Sequence, residues 1–297
     1  MRVCVAHENA RELMGELPGS VDLVVSQEPD EDVVFWVPSF LAAAPLADTF
    51  AGLTALRLVQ LLTAGVDTWV GRVPGHVTLC DARGVHTSAT AEWAVTAILA
   101  YVRDFPHFAR AQAHGEWAYR RTDELAGKRV LIVGAGSIGE GIADRLRPFE
   151  VSVTLVARRP RAGVQGVGEL PVLLPQADIV VLTVPLTDET TGMVDGDFLA
   201  AMRDGALLVN ASRGRVVDTG ALTLELAKGR LSAALDVTDP EPLPPGDPLW
   251  AMPNVLLTPH VAASVGGVLV RAYALVGDQL RRYAAGEPLL NVVSDGY

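Results

Sequence analysis

Short apolar runs separated by polar, glycine-bearing stretches mark the chain from its second residue onward. RVCVA, VDLVVS, DVVFWV, LRLVQLLTAGVD and VTLCDA follow one another up to residue 82, with helix-like segments between them. Unbroken apolar runs of this length suit strands covered on both faces, and their alternation with helices predicts parallel α/β layers. A longer run with helical spacing comes next, TAEWAVTAILAYVRDFPHFAR from Thr90 to Arg110. Pro106 is expected to bend or end that helix, because proline removes a donor and crowds the preceding turn. Residues 111–127, QAHGEWAYRRTDELAGK, are polar with scattered aromatics and predict an arm or loop.

A second series begins at Arg129: RVLIVGAG, VSVTLVA, DIVVLTVP, ALLVNAS, LSAALDV and VLLTPHV. Helix-length segments separate these strand candidates, as in a complete dinucleotide-binding sheet. One more helix, about 265–285, and a short tail follow, and they are expected to pack back on the first series. The pattern therefore predicts two α/β domains, the second inserted into the first. The boundaries fall at 1–95 plus 268–297 and at 96–267, the long helix and arm going with the second. A ligand is expected in the cleft between them.

Composition narrows the classes. Of 297 residues 49% are apolar and 20% charged, the profile of a globular enzyme, and the net charge is −11. So acidic a chain repels phosphate backbones and anionic lipid, which argues against nucleic acid and membrane as partners. Cys4 and Cys80 lie in strand-like runs and read as core residues of a reduced protein. No apolar stretch approaches the roughly 18 residues of a membrane helix, and no signal-peptide pattern opens the chain, so a cytoplasmic location is expected. Lys128 and Lys228 are the only lysines, one in a turn and one at a helix end, poor places for amine catalysis.

Gly134-Ala-Gly136-Ser-Ile-Gly139 follows the apolar strand VLIV and opens a helix. In a G-x-G-x-x-G turn the first glycine allows the tight turn and the second lets backbone N–H groups approach a pyrophosphate. The third lets helix and strand pack closely. An NAD-binding sheet places an acidic residue about 20 residues beyond the glycines to hold the ribose hydroxyls. Here that place holds Ala157, followed by Arg158, Arg159 and Arg161. Without the carboxylate nothing repels a 2′-phosphate, and planar guanidinium groups can grip one. The pocket is therefore expected to prefer NADP(H), with NAD(H) as second choice. The competing reading of RRPR is a solvated surface turn.

Three polar residues follow strands of the second series at their C-terminal ends, where open α/β sheets place ligands. They are Arg213 in LLVNASRGRVVD, Glu241 in ALDVTDPEPLP and His260 in VLLTPHVAAS. An arginine can bind a carboxylate bidentately and polarise a neighbouring carbonyl. A histidine paired with a carboxylate can deliver a proton as a hydride arrives. Each could instead be structural: a strand-end cap, a solvated acid, a core histidine. The other histidines show no metal-ligand spacing, so no metal is expected. His86 reads as a helix-start residue, and Trp69 and Trp117 as packing residues.

NASRG, LDVxxxEP and TPHxA set behind GxGxxG closely resemble the D-2-hydroxyacid dehydrogenases. The likeness extends upstream to LLTAGVD, HTSATAEWAV and TVPLTDETTGM, covering about 60–265. It implies a Rossmann cofactor domain inserted into a flavodoxin-like substrate domain, both doubly wound parallel sheets. By the same likeness Arg213 binds the substrate's carboxylate and carbonyl oxygen, His260 is the general acid or base, and Glu241 orients it. Backbone N–H groups at Ala64 and Gly65 receive the substrate carboxylate. Ser137 and Ile138 meet the pyrophosphate, Val184, Pro185 and Ala211 line the cofactor, and Asp236 anchors the carboxamide. A helix-cap role competes for Asp236. The family also implies a homodimer through about 90–125. The missing ribose acid resembles the NADP-using glyoxylate/hydroxypyruvate reductase branch, hence a small 2-keto or 2-hydroxy acid as substrate.

Two other classes compete. A dinucleotide-sensing regulatory protein shares this fold and triad but is expected to carry extra partner-binding tails. An amino-acid dehydrogenase would need a cleft lysine. A hydrolase would need a G-x-S-x-G elbow, which the sequence lacks.

Overall fold

The computed structural model describes residues 1–40, 42 and 50–294. The chain divides into two compact units, Met1–His86 with Val265–Tyr297, and Thr87–Ser264.

In the first unit five strands form a parallel sheet: β1 (Arg2–Val5), β2 (Asp22–Val25), β3 (Phe35–Val37), β4 (Leu58–Gln60) and β5 (Thr78–Cys80). Their spatial order is β2-β1-β3-β4-β5, the flavodoxin-like order. Period-two alternation divides the strand residues between two cores. Val3, Val5, Phe35 and Leu58 face one with Ala272, Tyr273, Val276 and Leu280 of the helix Val268–Ala285. Cys4, Trp36 and Val59 face the other with Trp69. The last helix does therefore return to the first sheet, and Asn291 and Val293 carry the chain along the end of β5. Trp69 packs edge-on against Trp36 at 5.6 Å, as a packing residue should. Trp117, in the second unit, does not pack: it is 97% exposed.

The second unit holds seven parallel strands: β6 (Arg129–Val133), β7 (Ser152–Ala157), β8 (Val164–Gly166), β9 (Ile179–Leu182), β10 (Leu207–Asn210), β11 (Ser232–Leu235) and β12 (Val255–Leu257). They run β12-β11-β10-β9-β6-β7-β8, the doubly wound dinucleotide-binding order with one added strand. The sequence pattern gives six of them. β8 is a three-residue edge strand, VQG, whose pairing with Leu155–Ala157 leaves no apolar signature.

Leu131 and Val133 of β6 face one core, and Val130 and Ile132 the other. The second core is closed by Ala91, Ala94, Val95, Ile98 and Val102 of the helix Thr87–Val102. That helix belongs to this unit from its first turn, so the expected seam at 95–96 would cut a continuous element. It also ends sooner than expected. A proline ring at 106 clashes with the carbonyl four residues back, that of Val102, and the helix stops there. The chain then turns through Asp104 (φ +55°) and restarts as Phe105–Ala113 with Pro106 in its first turn, where no donor is lost. Of the arm expected over 111–127, residues 111–113 finish this helix and 116–124 are irregular.

Candidate active site and dinucleotide loop

The sheet of the second unit reverses its winding between β6 and β9, the place where such sheets bind ligands. The glycine turn leaves β6 there. Gly134 has φ +116°, and a Cβ on it would stand 2.6 Å from the Thr183 carbonyl carbon. A Cβ on Gly139 would stand 1.9 Å from the Gly134 carbonyl oxygen. Thr183 Oγ1 donates to that same oxygen at 2.8 Å, fixing the turn against the end of β9. These two glycines are demanded by the protein's own backbone.

Gly136 differs, since nothing lies within 4 Å of where its Cβ would be. It is the extended N-cap of the helix Ser137–Leu146, and no side chain caps that end. The first-turn N–H groups and the dipole thus face an open backbone surface suited to a pyrophosphate. Ser137 is exposed there, and its hydroxyl accepts from Thr87 Oγ1 at 2.9 Å. Ile138, Val184 and Ala211 are half-buried, and Pro185 is exposed in the turn after β9. A nicotinamide dinucleotide fits this donor set.

Beyond β7, Ala157 occupies the ribose position with no carboxylate of its own. Arg158 Nη1 meets Glu189 Oε2 at 3.1 Å. Arg159 is exposed. Arg161 reaches back over the glycine turn, its Nη2 donating to the Ala135 carbonyl at 2.6 Å and to Glu140 Oε1 at 2.9 Å.

Arg213, Glu241 and His260 follow β10, β11 and β12, three neighbouring strands. His260 Nδ1 lies 2.6 Å from Glu241 Oε1. Both side chains are partly open to solvent, and Nε2 is the ring nitrogen left to face a ligand. His260 has φ +53°, costly for a residue with a Cβ. Its neighbours impose that conformation: the His260 N–H donates to the Asp236 carbonyl at 2.7 Å.

Asp236 holds the whole loop. It is 3% exposed. Its Oδ1 accepts from Thr258 Oγ1 at 2.6 Å and Val261 N at 2.9 Å, and its Oδ2 accepts from Ala262 N at 2.9 Å. It is thus no helix cap. Three of the roughly four acceptor positions of its carboxylate serve the histidine loop.

Asn210 performs the matching task for Arg213. Buried to 1% exposure, it donates from Nδ2 to the Arg213 carbonyl at 3.0 Å. Its Oδ1 accepts from Ser212 N at 3.0 Å and Ser212 Oγ at 2.7 Å. The half-buried Arg213 guanidinium donates from Nη1 to the Ser212 carbonyl at 2.9 Å. Sequence reasoning missed Asn210, Thr183 and Gly214. The one available signal was a polar residue ending an otherwise apolar strand, LLVN.

In the first unit Ala64 and Gly65 lie in the loop after β4, half-buried, where Thr63 Oγ1 donates to the Gly65 carbonyl at 2.9 Å. The buried His86 has Nε2 2.8 Å from the Leu62 carbonyl oxygen and stands just before the long helix. Among the described residues no cluster of three or more His, Cys, Asp or Glu could hold a metal ion. No helix among them is long and apolar enough to cross a membrane.

Comparison with known proteins identifies the family. The family profile described as "D-isomer specific 2-hydroxyacid dehydrogenase, NAD binding domain" matches residues 95–262. A glyoxylate reductase of Aeropyrum pernix is 36% identical over 261 residues, covering 80% of this chain and 76% of that one. A chloroplastic/mitochondrial formate dehydrogenase of Arabidopsis thaliana is 33% identical, over 82% of this chain and 68% of that one. The chain spans only 43% of a similar D-3-phosphoglycerate dehydrogenase of Archaeoglobus fulgidus. Among solved structures, a D-isomer specific 2-hydroxyacid dehydrogenase from Xanthobacter autotrophicus Py2, in complex with NADPH and MES, superposes with TM-score 0.86. It is 33% identical, with 99% of this chain and 97% of that one covered. An NADPH-dependent glyoxylate/hydroxypyruvate reductase from Sinorhizobium meliloti gives 0.84 at 27% identity, with 99% and 98% covered. This chain belongs to the D-isomer specific 2-hydroxyacid dehydrogenase family.

Proposed function

We propose that the protein reduces a small 2-keto acid of the glyoxylate or hydroxypyruvate type to its D-2-hydroxy acid, with NADP(H) preferred over NAD(H). The observation that carries this reading is the 2.6 Å His260–Glu241 pair, on loops beside that of Arg213 and at the same sheet end as the glycine turn. When bound, the reduced nicotinamide supplies the hydride to the carbonyl carbon. Arg213 holds the substrate carboxylate and draws charge from the carbonyl oxygen. As the carbonyl π bond breaks, His260 gives its Nε2 proton to that oxygen, while Glu241 keeps the ring oriented and offsets its charge. In the reverse direction His260 takes the proton back.

Gly134, Gly136, Ser137, Ile138 and Gly139 would hold the pyrophosphate, and Val184, Pro185 and Ala211 the neighbouring cofactor surface. The remaining acceptor position on Asp236 would take the carboxamide. Ala64 and Gly65 are proposed to receive the substrate carboxylate through their N–H groups. Ala157 with Arg158 and Arg159 supports the NADP(H) preference. A homodimer is proposed as well, supported by the exposure of Phe105 (63%), Trp117 (97%) and Tyr119 (85%) along 105–119.

The testing experiment is initial rates with NADPH and with NADH on glyoxylate, hydroxypyruvate, pyruvate and phenylpyruvate and, in the oxidative direction, with NADP+ and with NAD+ on formate. Turnover of a 2-keto acid at least about tenfold faster with NADPH supports the reading. Formate oxidation alone would replace the substrate class, and NADH preference would remove the cofactor assignment.

A further inference from the structure

Arginines at the end of β7 can grip a phosphate only if nothing else holds them, and here carboxylates do. Arg158 meets Glu189, and Arg161 meets Glu140, the two glutamates coming from different segments of the chain. Glu140 sits in the first turn of the glycine-loop helix. Glu189 sits in the turn after β9, which Thr187 and Thr190 brace through hydroxyl bonds to backbone N–H groups and to the Pro185 carbonyl. Arg161 is fixed at its backbone too. It pairs with Val164 through two main-chain bonds of 3.1 and 2.8 Å, closing a tight turn. From that fixed point its guanidinium crosses to the Ala135 carbonyl, in the middle of the glycine turn. Arg159, between the two, makes no hydrogen bond or ion pair among the described residues.

We infer that Arg158 and Arg161 form the clamp for the ribose 2′-phosphate, and that Glu189 and Glu140 are built-in competitors that hold the clamp when no phosphate is present and set how strongly NADPH is preferred. This rests on the NADP(H) reading above and deepens it. A phosphate entering the site replaces each carboxylate at its arginine, as both can present anionic oxygens to the planar fork of a guanidinium. Glu189 and Glu140 then turn to solvent, since all four side chains are half to two-thirds exposed. NADH carries no such phosphate, so for it the two pairs remain closed. The glutamates therefore cost affinity for NADPH alone, apart from the general repulsion that Glu140, near the pyrophosphate, exerts on both dinucleotides.

The test is fluorescence titration of the full chain with NADPH and NADH for wild type, Glu189→Gln, Glu140→Gln and Asp144→Asn. Asp144 is the control: it lies one turn further along the same helix, and its carboxylate pairs with Arg147 at 3.0 Å. Exposed pairs are worth up to about 1 kcal/mol, so each glutamate variant should bind NADPH roughly two- to fivefold tighter. Glu189→Gln should leave the NADH Kd unchanged, Glu140→Gln should help NADPH more than NADH, and Asp144→Asn should move neither ratio. Unchanged or weakened NADPH binding in both glutamate variants overturns the competition. So does an equal gain for both dinucleotides, or an equal gain from Asp144→Asn. Wild-type preference for NADPH with unresponsive glutamates leaves the cofactor reading standing without it. A wild type with no preference that gains one in the glutamate variants keeps the competition and removes the wild-type preference.

Discussion

A Cβ placed on Gly214 would stand 1.9 Å from the carbonyl oxygen of Thr238. The loop carrying Arg213 and the loop carrying Glu241 therefore touch backbone to backbone, and Thr219 Oγ1 adds a bond to the Asp239 carbonyl at 2.9 Å. An added methyl has only backbone to displace. Gly214→Ala should destabilise the fold by about 1–3 kcal/mol, the usual cost of overpacking, and should lower 2-keto acid turnover more than NADPH binding. Thermal unfolding with parallel kinetics checks this, and wild-type turnover in the variant would show that the two loops can separate harmlessly.

Asp236→Asn should loosen the histidine loop. An amide can still accept at one oxygen, but its NH2 would face a donor that needs an acceptor, leaving one of Thr258, Val261 or Ala262 unsatisfied. A loss of about 1–3 kcal/mol in stability is expected, with kcat reduced as His260 loses its fixed backbone. Chemical denaturation would read the first effect and steady-state kinetics the second.

His260→Ala should lower kcat by about 10²–10⁴-fold while leaving the NADPH Kd unaltered, because general acid catalysis contributes about that much. Glu241→Gln keeps a hydrogen-bond acceptor for Nδ1 but not its charge, and should fall between that variant and wild type. A His260 variant that no longer binds NADPH would make the residue structural.

Arg213→Lys preserves charge but loses the bidentate fork, and should raise the KM for the 2-keto acid by at least about tenfold; Arg213→Ala should abolish turnover. The Arg158→Ala, Arg159→Ala double variant should weaken NADPH far more than NADH. Equal losses would return RRPR to the status of a surface turn.

In the first unit burial pushes the Cys4 thiol up to about 11, and the Cys80 thiol and Tyr273 phenol each to about 12. Unfolded, the two thiols would ionise near 9 and the phenol near 10. Between those values and 11–12 the folded state binds more protons than the unfolded one, so stability should fall as pH rises through that window. Their contribution is fully present below pH 9. Denaturation midpoints between pH 8 and 11 check the sign, and alkylation at pH 8 should label neither thiol until the protein unfolds.

Much of the fold was legible because it is periodic. VLIV and IVVL are apolar throughout and LLVN up to its last residue, as strands covered on both faces must be, and Ala91, Ala94, Val95, Ile98 and Val102 repeat with helical spacing. What failed was aperiodic. VQG carries no pattern and becomes a strand only because β7 offers it an edge. Trp117 was expected to pack, but its surroundings are set by the path of the arm, which no local pattern encodes.

The candidate site divides in the same way. The sequence by itself placed Gly134, Gly136 and Gly139 after a strand, and Arg213, Glu241 and His260 after three others, because loop position follows from strand order. Only the tertiary structure decided that Gly134 is held by Thr183, that Gly214 is held by Thr238, and that Asp236 serves residues 258–262. It alone paired the arginines with Glu189 and Glu140. Each of these contacts joins segments that are distant in the chain and meet only at one end of the sheet. Sequence spacing sets what a strand can offer at its end. The packing of neighbouring strands sets what it meets there.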